Sequence, residues 1–421
     1  MLMESKRYVI VGGSAAGMAA AETIRRYDSH GSVRVLSEEA DAPYFRPMIP
    51  FLISRKKSAA EMFLQGRGPY QAQGIEMLLQ TRAVRIDSHT DQLITDQGEK
   101  ISYDRLLIAT GSRPNIPAGI SGLDCNGVFA LRTLEDARQV ARRAEGTTQA
   151  VMLGGGLLNL KAAFALLERG IKVTLVVYSP EVLSQLMEPA DVLLIRRALD
   201  QAGLRILTGC SARHILSNDK GVIRVALDDG NELACQMVCI GKGVRPNTEW
   251  LDACEIAVNR GVVVDRYTCT GSSHIYAAGD VAVTCDPITG EPIVTGLWTN
   301  AVEMGRCAGA NMAGRPSVYG GTFGILNATQ VARMPFVSMG MVHTSGCEYE
   351  VHRKGTVDAY RKLVFSPDGD RLVGALFVGD IANAGLYRLV IRERMKVNGI
   401  KRQMIDHRLH YGHLLCAGNP G

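Results

Sequence analysis

The apolar positions of this chain gather in short runs that end on glycine. Tyr8 to Val11 is the first, and Gly12-Gly13-Ser14-Ala15-Ala16-Gly17 follows it, leading into the alanine-rich stretch Met18 to Arg26. A buried strand, a tight turn and a helix are what this order predicts, with Ser32 to Leu36 as the next strand. The unit then returns. Ala150 to Leu153 runs into Gly154-Gly155-Gly156, a second helical pattern covers Leu157 to Arg169, Gly170 stops it, and Lys172 to Val177 is the following strand. Two such βαβ units in one chain are an internal duplication. Three more strand-and-turn segments punctuate the chain: Tyr103 to Pro114, Met237 to Asn247, and His274 to Asp280. A helix is predicted from Leu297 to about Ala313, where Gly314 and Pro316 end it. Beyond residue 316 the texture changes. Two apolar runs, Ala359 to Phe365 and Arg371 to Val378, flank the hairpin signature Ser366-Pro-Asp-Gly-Asp370, and a basic helical pattern follows over Tyr387 to Val397.

Composition narrows the function classes. At 421 residues, 46% hydrophobic and 21% charged, the chain is long enough for several domains of about 150 residues and too apolar for disorder. The net charge of +5 is thinly spread and aromatic residues make up 6%, which argues against nucleic acid as a partner. No apolar run approaches the roughly 18 residues of a membrane span, and the segment before Tyr8 lacks a signal-peptide pattern, so a cytoplasmic location is expected. The ten cysteines are scattered with no C-x-x-C, so mostly buried thiols are expected rather than disulfides, zinc or an iron–sulfur cluster. His407, His410 and His413 recur every third residue, but only Asp406 joins them, and a surface face is the better reading.

A glycine turn between strand and helix lets backbone approach a pyrophosphate, whose charge rests on the helix N-terminus. The first turn offers Gly12, Ser14, Ala15, Ala16 and Gly17, with Ser14 in the middle-glycine place and its hydroxyl able to donate to phosphate. Glu38, after the second strand, is placed to accept ribose hydroxyls, and Glu39 beside it is the rival.

Taken in order, V-I-V-G-G-S-A-A-G, I-A-T-G-S-R-P at 108–114, the G-G-G of the second unit and I-Y-A-A-G-D at 275–280 resemble the pyridine nucleotide–disulfide oxidoreductase superfamily. Asp41-Ala-Pro-Tyr-Phe-Arg-Pro-Met48 is similar to the P-Y-x-R-P segment of its rubredoxin- and ferredoxin-reductase-like branch. The resemblance implies an α/β chain of two interleaved Rossmann-like (glutathione-reductase-like) domains plus a C-terminal α+β interface domain. FAD is expected in 1–115 with 241–315, NAD(H) in 116–240, and the interface domain over 316–421, through which the chain could form homo- or hetero-oligomers. It further implies that Gly279 and Asp280 hold the ribityl and phosphate groups, that Ala109, Thr110 and Gly111 line the FAD cleft, that Arg46 lies along the flavin and that Val84 touches adenine. The helix starting at Trp298 and Thr299 would direct its N-terminus at the pyrimidine end of the ring, stabilising negative charge there.

Disulfide-reducing members need a thiol beside the flavin, just after the ribose-binding strand. Pro43 to Ile53 contains none, so thiol–disulfide exchange lacks its nucleophile. The second unit departs from the pattern as well. Gly154, Gly156 and Leu157 fit a phosphate turn, and the Gly241 to Arg245 loop around Gly243 resembles the nicotinamide-side loop. Yet Asn159 replaces the third glycine, and Lys161 stands where many relatives carry glutamate. Val177 ends the strand where an acid is expected, with Tyr178 and Ser179 as candidates to substitute by stacking or hydrogen bonding. No arginine lies between 177 and 182 to favour the extra phosphate of NADP. An NAD site with altered adenosine contacts is favoured by the intact turn; a vestigial domain is the alternative. Lys161 near the flavin would favour its anionic reduced form, whereas a solvated lysine would do nothing. The expected activity is electron transfer between NAD(H) and an iron–sulfur or rubredoxin-like protein, either diffusing or a fixed subunit of a complex such as an aldehyde oxidoreductase. The basic stretches Arg55-Lys56-Lys57 and Arg392 to Lys396 are candidates for docking an acidic carrier, with solvated faces as the default. A flavin NADH oxidase and a flavin-binding structural protein are the competing readings.

Overall fold

A computed structural model describes residues 5–65, 67–252, 254–321, 326–345 and 348–417, the side chains of 67, 416 and 417 excepted. The chain divides into two compact units: 1–115 with 132–134 and 244–322, and 116–131 with 135–243 and 323–421.

The first unit is built on a five-stranded parallel sheet, in the order Ile275–Ala277, Arg105–Ile108, Arg7–Val11, Ser32–Ser37, Ile75–Leu79. Its central strand buries Tyr8 through Val11, the continuous apolar run that a sheet covered on both faces requires. The Ala15–Tyr27 helix covers one face, and the Trp298–Met312 helix lies against it. Their backbones approach closely because Gly305 and Gly309 face Ala16 and Ala20: a methyl on either glycine would run into a helix backbone. A three-stranded antiparallel meander, Ala83–Asp87, Gln92–Thr95 and Lys100–Ser102, completes the crossover.

The second unit repeats the plan. Its parallel sheet runs Arg205–Thr208, Lys172–Val177, Gln149–Leu153, Met237–Ile240, Val128–Ala130, with the glycine-turn strand again central and the Leu157–Leu167 helix after it. Its crossover also carries a three-stranded meander, Ala212–Asn218, Gly221–Leu227 and Glu232–Ala234. The duplication read from the glycine turns therefore extends to the meanders.

The unit also contains a five-stranded antiparallel sheet, in the order Asn327–Val331, Met334–Gly340, Leu372–Val378, Tyr360–Phe365, Glu350–Gly355. The predicted hairpin is its Tyr360–Phe365 and Leu372–Val378 pair. The helix expected over 387–397 is displaced: it occupies Ala384–Arg392. Asn383, in a left-handed conformation, starts it, and Arg394, also left-handed, breaks it so that Lys396 can bridge Arg371. Among the described residues no helix is long and apolar enough to cross a membrane.

A buried charge network ties this sheet to the segment after Val177. Lys362, wholly inaccessible, places Nζ at 2.6 Å from Glu188 Oε2, 3.1 Å from Asp191 Oδ2 and 2.7 Å from the Val342 carbonyl. Arg353 donates to both carboxylates, Tyr360 to Asp191, and the Thr344 and Ser345 amides to Glu188.

Candidate functional site

The first glycine turn has the shape that phosphate binding demands. Gly12 sits at φ +122°, and a side chain there would collide with the Ala109 carbonyl; one at Gly17 would collide with the carbonyl of Gly12. The Ala15–Tyr27 helix begins beyond Ser14 with no side-chain cap and no acidic residue in its first turn, so its amide dipoles are uncompensated. Ser14 Oγ instead accepts from Arg46 Nε at 3.1 Å, keeping its own proton to donate.

Arg46 is the hub of this end of the unit. Its Nη1 donates to Tyr44 Oη and to the Arg132 carbonyl, each at 2.9 Å, and Nη2 pairs with Glu39. Tyr44 Oη donates to Glu39 Oε2 at 2.7 Å and accepts the Leu134 amide at 2.9 Å. The two candidate acids are thus separated: Glu39 has both oxygens engaged, while Glu38 is exposed just past the strand with no partner among the described residues. Gly279, at φ +81°, leads into Asp280, whose Oδ2 accepts from Ser112 Oγ and Arg132 Nη2, both at 2.9 Å. Thr110 and Asn247 bond reciprocally, fixing the turn that carries Ala109 and Gly111. Val84 lies at the irregularity between Ala83 and Arg85 in the first meander. Trp298 opens its helix packed edge-on against Phe45, centroids 4.8 Å apart, and Thr299 is exposed beside it.

Ser112, Tyr44 and Asn247 lie inside the motif segments without being singled out there as site residues, and Arg132 belongs to no motif. Arg132 is part of a three-residue segment of the first unit, 132–134, that is flanked in sequence on both sides by the second.

In the second unit Gly154 takes φ +107° and abuts the Gly241 carbonyl as Gly12 abuts Ala109. Gly156, the residue before the Leu157–Leu167 helix, is exposed with open space around it, and neither a side-chain cap nor an acid occupies that helix's first turn. This turn fits an anionic group. Asn159 is buried, and its Nδ2 donates to the Gly154 carbonyl at 2.6 Å. An amide thus fills the space that a third glycine would have closed by direct helix–strand contact. Gly243, at φ +85°, is exposed; Leu157 is half-buried. Lys161 is part-buried on the same helix, and burial pushes its ammonium pKa down.

One sequence assignment is corrected. Gly12 N bonds Leu36 O and Gly154 N bonds Val176 O, both at 2.8 Å. Matched on these bonds, Val177 corresponds to Ser37, and the counterpart of Glu38 is Tyr178. Val177 is buried against Gly155, whereas Tyr178 is 75% exposed.

The segment where a redox thiol would stand forms the turn Arg46–Met48 and the short helix Ile49–Ile53, with Ile49, Pro50 and Ile53 buried. Among the described residues the cysteines are free. Cys210, Cys235, Cys239 and Cys307 are buried, with Cys235 and Cys239 pushed up to about 12 by burial; Cys125, Cys254 and Cys269 are half-buried and Cys285 is exposed. Cys347 and the Cys416 side chain lie outside the described residues. His407 pairs with Asp380 at 3.0 Å, and His410 packs on His413.

Comparison with known proteins gives the same picture. A family model described as pyridine nucleotide-disulphide oxidoreductase matches residues 6–305. The chain is 28% identical over 415 residues to the epsilon subunit of NADH-dependent phenylglyoxylate dehydrogenase from Aromatoleum evansii, covering 97% of each. It is 31% identical over 313 residues to rubredoxin-NAD(+) reductase from Ectopseudomonas oleovorans, covering 73% of this chain and 80% of the relative. A ferredoxin reductase from Rhodopseudomonas palustris superposes with a TM-score of 0.88 at 25% identity, over 98% of this chain and 100% of that one. With two glycine turns on two parallel sheets and an antiparallel C-terminal sheet, the chain belongs to the pyridine nucleotide–disulphide oxidoreductase family, a family of FAD- and NAD(H)-dependent enzymes.

Proposed function

We propose that this enzyme moves electrons between NAD(H) and an iron–sulfur or rubredoxin-like carrier, with FAD in the first unit and the nicotinamide nucleotide in the second. Bound FAD supplies the exchange between two-electron nicotinamide chemistry and one-electron transfer. The observation that carries the reading is the conjunction of two phosphate-shaped turns with a thiol-free Arg46–Ile53 segment. With no nucleophile of its own, the protein acts by binding and positioning.

On this reading the first-turn amides and Ser14 hold the FAD pyrophosphate, Glu38 takes the adenosine ribose, and Glu39 holds Arg46 in place. Asp280, fixed through Oδ2 by Arg132 and Ser112, offers its other oxygen to the ribityl chain. The turn at Gly154 and Gly156 takes the second pyrophosphate, with Asn159 bracing it. Lys161 is assigned to tuning the flavin by its charge, so Lys161→Glu shifts the flavin midpoint potential negative; an unchanged potential removes that assignment. The domain limits 1–115 with 241–315, 116–240 and 316–421 are proposed on the same grounds.

These 421 residues hold no cluster motif, so on this reading the one-electron centre lies outside them. A fixed subunit of a complex is favoured by the end-to-end match to an epsilon subunit of a dehydrogenase. Anaerobic mixing of the FAD-loaded protein with NADH bleaches the flavin absorbance within the mixing experiment, and an added ferredoxin or a co-purifying subunit restores it. No bleaching would refute the electron-transfer reading, and rapid oxygen consumption with no response to carrier would replace it with an oxidase.

A further inference from the structure

The two units of this chain supply an internal comparison at the nucleotide's adenosine end. In the first, the strand that follows the glycine turn is succeeded by Glu38, an exposed carboxylate. In the second, the residue matched by backbone bonding is Tyr178, equally outside the core. A carboxylate at this place accepts the ribose 2′-hydroxyl and repels a 2′-phosphate, which is how such a site discriminates between the two nicotinamide nucleotides. A tyrosine hydroxyl can still hydrogen-bond a ribose hydroxyl, but it sets no carboxylate against a 2′-phosphate.

The surroundings of Tyr178 do not restore the missing sign. Ser179 and Ser184 bond to each other at 3.0 Å. Glu181, the nearest following acid, pairs with Arg196 at 3.4 Å, and Arg196 also lies 3.7 Å from Asp200, so neither Glu181 nor Arg196 stands alone. Glu188, the next acid, is held in the network of Lys362 and Arg353. The Leu183 amide bonds the Gly155 carbonyl at 3.0 Å, fixing this stretch over the turn.

We infer that Tyr178 removes nucleotide discrimination, so that the second unit binds the phosphorylated and unphosphorylated nicotinamide dinucleotides with nearly equal affinity. The inference rests on the reading of the second unit as a nicotinamide-nucleotide site. The test is calorimetric titration of the FAD-loaded protein, its first turn already filled, with NAD+ and separately with NADP+ at one salt concentration. The dissociation constants are expected to agree within about fivefold, and Tyr178→Glu is expected to separate them by about tenfold or more in favour of NAD+. Because Tyr178 is exposed, the substitution leaves the core intact; an unchanged flavin spectrum and melting temperature verify this. A wild-type preference of tenfold or more for either nucleotide overturns the inference and leaves the site standing. Equal constants that Tyr178→Glu does not separate overturn the role of Tyr178. Binding of neither nucleotide overturns both the inference and the reading beneath it.

Discussion

Arg132 holds two anchor groups of the first unit at once: its guanidinium donates to Asp280 and its carbonyl accepts from Arg46, each at 2.9 Å. Truncation to leucine leaves the backbone carbonyl, and so Arg46, in place, but strips Asp280 of its charged donor. A hydrogen bond to a charged group contributes about 1.5–3 kcal/mol, so Arg132→Leu is expected to weaken FAD retention by roughly ten- to a hundredfold. Recovery of FAD fluorescence on dilution of the holoprotein measures it, and retention equal to wild type would show that Asp280 does not hold the cofactor. The sequence marks Gly12, Gly17, Glu38 and Asp280 because each lies in a local pattern, turn or strand end, whose geometry has few solutions. Arg132 is invisible there because its role depends on contacts 86 and 148 residues away. Asn159 shows the intermediate case. The sequence says that the third glycine is missing, and only the structure shows the side-chain amide bonded to the Gly154 carbonyl that takes its place.

At the scale of elements, the Glu188–Lys362 network is the part least legible in sequence and most open to test. Burial opposes ionisation of Glu188, yet hydrogen bonds from Lys362 and the Thr344 amide outweigh it and hold the carboxyl well below the usual carboxylate range. Lys362→Met leaves Glu188 and Asp191 buried with Arg353 as their remaining cation. Removing one partner of a buried ion network costs about 3–5 kcal/mol, and chemical denaturation at pH 7 is expected to show that loss. The depressed carboxyl stabilises the fold fully above its unfolded pKa, roughly 4.3, and that contribution is lost as pH falls toward the folded value. The difference between wild type and Lys362→Met should therefore narrow on acidification below about pH 4. A difference that stays constant down to pH 3 would show that the network contributes no proton-linked stability. Helix packing gives a second test: Gly305→Leu forces the Trp298–Met312 helix off Ala16, which borders the first turn, so loss of FAD should accompany a lowered melting temperature. Neither feature was foreseeable, since a buried lysine and a pair of helix glycines acquire meaning only from what faces them.

Over the whole molecule the strongest expectation concerns what the chain does without sulfur. The duplication was plain from two glycine turns because each is a local device repeated in the same order. The absence of a flavin-side thiol was equally plain, since a cysteine is either in the Pro43–Ile53 segment or it is not. Its consequence follows from reactivity. Alkylation needs thiolate, and burial raises the pKa of Cys235 and Cys239 to about 12 and pushes Cys210, Cys269 and Cys307 up as well. Among the described cysteines, iodoacetamide near pH 8 should therefore label Cys285 first, which is exposed and lies on the Ala282–Cys285 strand outside both glycine turns. Mass spectrometry after peptide digestion identifies the modified positions, and anaerobic NADH bleaching reads the effect on the flavin. Full labelling at Cys285 with an unchanged bleaching rate is the expected outcome, in NADH-reduced protein as in oxidised protein. A bleaching rate that falls in proportion to labelling, only after prior reduction, would reveal a thiol in the electron path and return this enzyme to disulfide chemistry.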